Sequence, residues 1–203
     1  MISRIRCNFT VRRQRVFVLT NAEGIVPVSA RVPITISRIT SDNVERVQDF
    51  RNEVHVGTFH RHLDEGQYGV YAWLGSRVVG HAWAKVCHEP SCRVNGYMDL
   101  SHGEALIHFC NVREDHRGKN IYPAMLASLC KRLFSEANVS RVLIDTEVRN
   151  KASSRGIAKV GFQSLGTGLY VQFGGRLVFN WFVRSLNAAR ARYQARFRGP
   201  DDK

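Results

Sequence analysis

The residues best suited to chemistry lie in the run His108-Phe-Cys-Asn-Val-Arg-Glu-Asp-His-Arg-Gly-Lys-Asn-Ile-Tyr122. A strand pattern over Glu104 to Val112 ends in a polar loop, and a helix pattern opens at Tyr122. At the helix start, Arg117, Gly118, Lys119 and Asn120 supply positive charge and backbone N–H groups that a helix leaves without internal acceptors. Free amides and the helix dipole both favour an anion, so the joint is a candidate phosphate site. An ordinary strand–loop–helix connection with solvated charges accounts for the same residues equally well. Two titratable residues precede the loop. Glu104 and His108 are an even number of residues apart, so on a strand they share a face. The unperturbed pKa of histidine, ~6.5, suits proton transfer near neutrality.

These residues need a scaffold, and the hydrophobic pattern supplies one. Val32 to Ile39 alternates as a half-buried strand, and Thr40-Ser41-Asp42 offers N-caps for a helix carrying Val44, Val47 and Phe50. Val54 to Leu63 is less regular and reads as a second short helix. Tyr68 to Leu74, a Gly75-Ser76 turn and Val78 to Val86 form a hairpin. Tyr122 to Ala137 is a helix with Met125, Leu126, Leu129, Leu133 and Phe134 on its apolar side. A strand over Val139 to Val148 and a short helix over Asn150 to Val160, closed by Gly161, follow. A second hairpin pairs Leu169–Phe173 with Leu177–Val183 around Gly174-Gly175, and residues 185–198 read as a basic helix. The two central strands, joined through a helix, should be parallel neighbours.

Composition narrows the class. The chain's 203 residues, 44% of them hydrophobic, make one domain with a real core. No run approaches the ~18 apolar residues of a membrane-spanning helix. Arg4, Arg6, Arg12, Arg13 and Arg15 interrupt the start of the chain, which is expected to fold as an extension and not to act as a secretory leader. The five cysteines (Cys7, Cys87, Cys92, Cys110 and Cys130) suggest free thiols, no disulfide framework, no metal site and a cytoplasmic setting. The net charge of +13 is concentrated at the two ends of the chain. It would suit an anionic partner such as a phosphate-bearing substrate, an acidic protein or nucleic acid, or serve only as a solvated surface.

The segment Arg117-Gly118-Lys119-Asn120-Ile121-Tyr122 resembles the signature of the GNAT superfamily of N-acetyltransferases. That motif has Arg or Gln, two variable residues, Gly, one variable residue, and Gly or Ala. Asn120 stands in place of the glycine and Tyr122 in place of the last small residue. Asn accepts positive φ better than other non-glycine residues. Asn150, Ala152, Ser153, Ser154, Gly161 and Phe162 resemble the family's second motif, and the element order agrees. The resemblance implies an α/β fold: a mixed, mostly antiparallel sheet with a splayed central parallel strand pair, flanked by helices. It covers residues 32–183 as the acyltransferase domain, leaving 1–31 as a basic, strand-containing extension and 184–203 as a basic helix and tail.

The resemblance further implies acetyl-CoA as donor, without a metal. Cys110, Asn111 and Val112 would hold pantetheine through their backbone, Arg117, Gly118, Lys119, Asn120 and Ile121 would wrap the pyrophosphate, and Asn150 with Ser153 would contact the arm. Candidate bases are His108, Glu104 and Glu147, with His108 preferred; each fits a structural role as well. An amide near Asn111 or Val112 would stabilise the oxyanion. Many family members carry a Tyr as acid four residues before the Gly-Phe turn. Ile157 stands there, so Tyr122, Tyr170, Ser154 or a water would substitute. Phe59-His60-Arg61-His62 reads as a solvated loop that could line the acceptor site. The expected function is acetyl transfer through a ternary complex to a small amine such as an amino sugar, with an acyl carrier protein as an alternative donor. A protein N-acetyltransferase, or a non-catalytic module binding acyl-CoA or nucleic acid, is the rival. The terminal helix would dock on the domain or on a second copy to give a homodimer.

Overall fold

The computed structural model describes residues 9–94, 97–174 and 176–184. Cys7, Gly175 and the basic helix and tail expected after Arg184 lie outside the described residues. An eight-stranded sheet forms the centre. Its strands are β1 (Phe9–Leu19), β2 (Ile34–Arg38), β3 (Tyr68–Leu74), β4 (Arg77–Val86), β7 (Glu104–Val112), β8 (Arg141–Glu147), β9 (Gln163–Phe173) and β10 (Arg176–Arg184). They lie in the order β10-β9-β1-β8-β7-β4-β3-β2. All neighbours are antiparallel except β7 and β8, the expected parallel pair. A two-stranded ribbon, β5 (Ser91–Val94) with β6 (Met98–Ser101), interrupts the run between β4 and β7.

Helices α2 (Ile121–Glu136) and α3 (Lys151–Lys159) cover one face. Met125, Leu126, Leu129 and Leu133 of α2 bury the odd-numbered side chains Ala105 and Ile107 of β7, with Val142 and Ile144 of β8. On the other face Leu106, Leu143, Val16 and Val18 pack with Met98 and Leu100 of the ribbon. There too a 3-10 turn (Val44–Asp49) and α1 (Val54–Asp64) cover β3 and β4 through Val44, Val47, Phe59, Tyr71 and Trp83. Val54 to Leu63 is the short helix that its pattern suggested, so Phe59-His60-Arg61-His62 is not a solvated loop, and Phe59 is fully buried.

Two expectations change. The N-terminal strand is not peripheral: β1 runs between β8 and β9 and pairs with both, so the sheet continues across the boundary drawn at residue 31. Val16 to Leu19 are buried on both faces, whereas Phe9 to Arg13 are exposed. Cys87 and Cys92 are not free thiols. The tight connection from β4 to β5 brings their Cα atoms to 5.6 Å, and they form a disulfide. Unpaired thiols therefore no longer argue for a reducing compartment. Among the described residues no helix is long and apolar enough to cross a membrane.

A cleft between two separating strands

The parallel pairing of β7 with β8 covers only Glu104↔Arg141 to Ile107↔Ile144. Beyond it, β7 keeps β4 as partner (Trp83↔His108, Gly80↔Val112) and β8 keeps β1 (Asp145↔Val16, Glu147↔Gln14). The break coincides with a β-bulge. Between His81↔Asn111 and Trp83↔His108, two residues of β7 oppose one of β4, and Phe109 has φ 49°. A bulge bends its strand and shifts the side-chain alternation. Accordingly the helix-side core takes Ala105 and Ile107 before Phe109, but Cys110 and Val112 after it. The β8-facing backbone of β7 past Ile107 is thereby freed to pair with another chain of amides.

A cavity of about 1100 Å³ fills this gap. His108 to Val112 form one wall and Ile144 to Glu147 the other. The cavity runs up to the start of α2, where Arg117, Gly118, Asn120, Ile121 and Tyr122 meet it, and α3 closes its side with Asn150 and Ser153. Most of the sequence-derived site residues are thus brought together. Glu104 and Lys119 are not in the wall. The Glu104 carboxylate is buried, accepts a hydrogen bond from Ser101 N at 2.9 Å and lies 3.6 Å from Arg141. Lys119 donates to the Asp115 carbonyl at 3.1 Å.

The start of α2 has the backbone shape its sequence suggests. Gly118 (φ 77°) and Asn120 (φ 58°) are both left-handed, and a Cβ on Gly118 would meet only open space. The Asn120 side chain does not cap the helix and instead accepts from Lys159 Nζ at 2.8 Å. The first-turn amides therefore have neither an intrahelical acceptor nor a capping side chain. The bulk of Tyr122 is accommodated: its ring lies against Gly156 of α3, where a Cβ would come within 2.7 Å of it. Tyr122 Oη shares a 3.1 Å hydrogen bond with Ser153 Oγ. Burial pushes the Tyr122 pKa upward, so the phenol keeps its proton. Asn150 caps α3, its Oδ1 accepting from Ser153 N at 2.9 Å. Ile157 is fully buried, and Tyr170 is packed under the sheet against Tyr97.

His108 does not titrate near 6.5. Burial, then the positive neighbourhood of His62 and Lys85, lowers it to about 4, with Glu65 opposing. Its Nε2 lies 2.7 Å from Gln67 Oε1, and Gln67 Nε2 donates to Glu65 Oε2 at 2.7 Å. The carboxylate can only accept, so it fixes the Gln67 amide and makes its oxygen face His108. His108 then carries its proton on Nε2 and keeps the Nδ1 lone pair. The Cys110 thiol is pushed up to about 12, chiefly by burial, which makes it a poor nucleophile.

Several cavity residues escaped sequence reasoning. Arg155 and Lys159 are one helical turn apart on α3, and that i, i+4 spacing was the available signal. Asp145 of β8 also faces the cavity; burial raises its pKa, and Tyr97 Oη donates to it. Arg12 and Gln14 enter from β1, and Gln172 from β9. No local pattern marks these last residues, because long-range pairing alone delivers them. Among the described residues no cluster of His, Cys, Asp or Glu could hold a metal.

Residues 71–168 match the family model described as an acetyltransferase (GNAT) domain. The match spans a little under half of the chain, and the fold around it is GNAT-like. The fold is similar to that of a GNAT acetyltransferase from Colwellia psychrerythraea (TM-score 0.58, 15% identity, 82% of this chain and 56% of that one). It is also similar to a GCN5-related N-acetyltransferase from Kribbella flavida (TM-score 0.56, 9% identity, 82% and 60%). The chain thus spans little more than half the length of these two proteins. A third similar structure is AAC(6')-Iy in complex with the bisubstrate analogue CoA-S-monomethyl-acetylneamine (TM-score 0.52, 17% identity, 64% and 91%). No curated protein matches by sequence.

Buried histidines beside the cavity make the fold acid-sensitive. His81 is 1% exposed, and burial, with Arg51, His55 and His62 adding, lowers it to about 3. The unfolded chain, where His81 titrates near 6.5, binds the proton more readily. Stability is therefore full above pH ~6.5 and falls as pH drops toward the folded value. By pH 4.5 this one residue should cost about 2–3 kcal/mol. Urea unfolding at pH 7 and 4.5 checks it: His81→Phe should lose that much less than wild type, and an identical loss would refute the assignment.

Proposed function

We propose that this protein is an acyl-CoA-dependent N-acetyltransferase acting by direct transfer on a small-molecule amine. The observation that carries the reading is the continuity of one cavity from the free edge of β7, past the bulge, to the uncapped start of α2. Such a shape suits a ligand with an amide-bearing arm and a polyanionic end. The backbone of Cys110, Asn111 and Val112 would pair with the arm. Amides from Gly118 to Ile121 would receive the pyrophosphate, with Arg117, Arg155 and Lys159 adding positive charge. Asn150 and Ser153 would flank the arm. AAC(6')-Iy, an aminoglycoside N-acetyltransferase solved with CoA, supports the donor and an amine acceptor.

The acceptor would enter where β8 offers Asp145 and Glu147, carboxylates able to attract an ammonium group, with Arg12, Gln14 and Gln172 for its polar substituents. The acceptor attacks as the free amine, its ammonium proton having passed to solvent, and a proton on its nitrogen becomes strongly acidic once the N–C bond to the thioester carbonyl forms. A neutral His108 with a free Nδ1 can then accept that proton despite its low pKa, held in place by Gln67. A backbone amide at Asn111 or Val112 would stabilise the oxyanion. Tyr122, which keeps its proton beside Ser153, is the proposed donor to the departing thiolate. The thiol of Cys110 stays protonated, which favours a ternary complex over an acyl-enzyme.

Calorimetric titration with acetyl-CoA tests the donor. Wild type should bind, and Gly118→Pro should abolish binding, because Pro holds φ near −65° where φ 77° is needed. Absence of binding to wild type would overturn the reading. Thiol release with a panel of amino sugars and polyamines tests the base. His108→Ala should slow turnover about 10²-fold at pH 7, the low end for a general base. Unchanged turnover would move the role to Glu147.

A further inference from the structure

Two opposite charges line the cavity without neutralising each other. Residues paired across antiparallel strands project to the same side. The pairs Val16↔Asp145, Gln14↔Glu147 and Arg12↔Tyr170 therefore set Arg12, Gln14, Asp145 and Glu147 on one face of the sheet, with Gln172, opposite Thr10, beside them. It is the ribbon-side face, because Val16 and Tyr170 belong to the core beneath the ribbon. Each of these polar residues lines the cavity.

Arg12 and Glu147 are diagonal neighbours, since Glu147 faces Gln14 and Arg12 is the next residue of β1 on that face. Long side chains reach each other at such positions. Among the described residues, however, neither makes an ion pair. Asp145 does not occupy the arginine either; it accepts from Tyr97 Oη. Between the charges, Gln14 is 6% exposed, and its Oε1 accepts no hydrogen bond from the described residues. A buried oxygen without a donor is costly, and a ligand's N–H group would satisfy it. Arg12 is also not part of the cationic end proposed for pyrophosphate. Arg155 and Lys159 belong to α3, on the opposite face of the sheet.

The site thus offers acceptors for an ammonium group (Asp145, Glu147 and Gln14 Oε1) beside donors for an anion (the Arg12 guanidinium and the Gln172 amide). Asp145 follows Ile144, the last residue of β8 paired with β7, so the acidic end is the inner one, across the gap from His108. Arg12 lies farther out along β1, about 7 Å past Gln14.

We infer that the acceptor is an amine that also carries a carboxylate or phosphate. Asp145, Glu147 and Gln14 draw in its ammonium group, and Arg12 with Gln172 holds its anion, a short chain or single ring away. What then happens to the amine rests on the acyl-transfer reading; the recognition itself does not.

Calorimetric titration of the full chain at pH 7, with and without CoA, tests this on matched probes. Aminopropyl phosphate is compared with aminopropanol, and aminobutanoate with its amide, and diaminopropane serves as a dication. Wild type should bind an anionic amine about tenfold more tightly than its neutral partner. The larger of the two preferences tells phosphate from carboxylate. Arg12→Gln should remove most of the preference, and Arg12→Glu should reverse it in favour of diaminopropane. Arg77→Gln, which removes the same charge from β4, should keep it, because the preference is local and not a general attraction to a basic protein. Matched probes bound alike or not at all by wild type, or a preference that survives Arg12→Gln, would overturn the inference. If acetyl-CoA binds in that case, the acyl-transfer reading stands without it. A preference that depends on Arg12 in a protein that binds no acetyl-CoA would support the recognition and remove that reading.

Discussion

The site depends on the early end of one strand pairing. Hydrogen bonding between β7 and β8 stops at Ile107 and Ile144, and the bulge at Phe109 turns β7 away. A sheet ladder normally consumes every backbone amide, and a gap in its centre is costly unless both strands have partners elsewhere. Here each does. β4 holds β7 from the far side, and β1 holds β8 as far as Glu147. The N-terminal strand is thus part of what keeps the cleft open, because without β1 the end of β8 would have no partner. The bulge also redirects side chains. His108 remains on the ribbon side, while Cys110 passes to the helix side, so that one wall presents a histidine on one face and a buried thiol on the other.

Charge in the cleft follows the same geometry. Where the cavity meets α2 and α3, it gathers uncapped amides and the cations Arg117, Arg155 and Lys159. Across the gap, Asp145 and Glu147 bring carboxylates. A cationic end and an acidic end are thereby set on either side of one narrow passage. Burial then tunes the groups between them. His108 stays neutral, while Cys110 and Tyr122 stay protonated. Of these groups, His108 alone offers a lone pair for a proton.

Much of this was legible in the sequence, and what was missed has physical causes. The strand from Glu104 to Val112 and the hairpin around Gly75-Ser76 were readable because their periodicity and turn residues are local. The left-handed conformation at Asn120 followed from the residue type. The position of β1 did not, because strand order depends on long-range pairing. The β5–β6 ribbon was missed although Asn95-Gly96 lies between its strands, since four-residue strands carry too little pattern. Gln67 and Asp145 were invisible as site residues. One is brought in by a side-chain hydrogen bond across 41 positions, and the other by the splay itself. The pKa of His108 was misjudged because burial cannot be read from a face assignment.

The central claim is that the open edge of β7 and the start of α2 form one continuous donor site. Hydrogen–deuterium exchange of the intact protein, with and without acetyl-CoA, tests it at the amides concerned. The account predicts slowed exchange in two separate stretches at once, Cys110 to Val112 and Gly118 to Tyr122, with β2 and β3 unchanged. Protection confined to one stretch, or none in either, would contradict it.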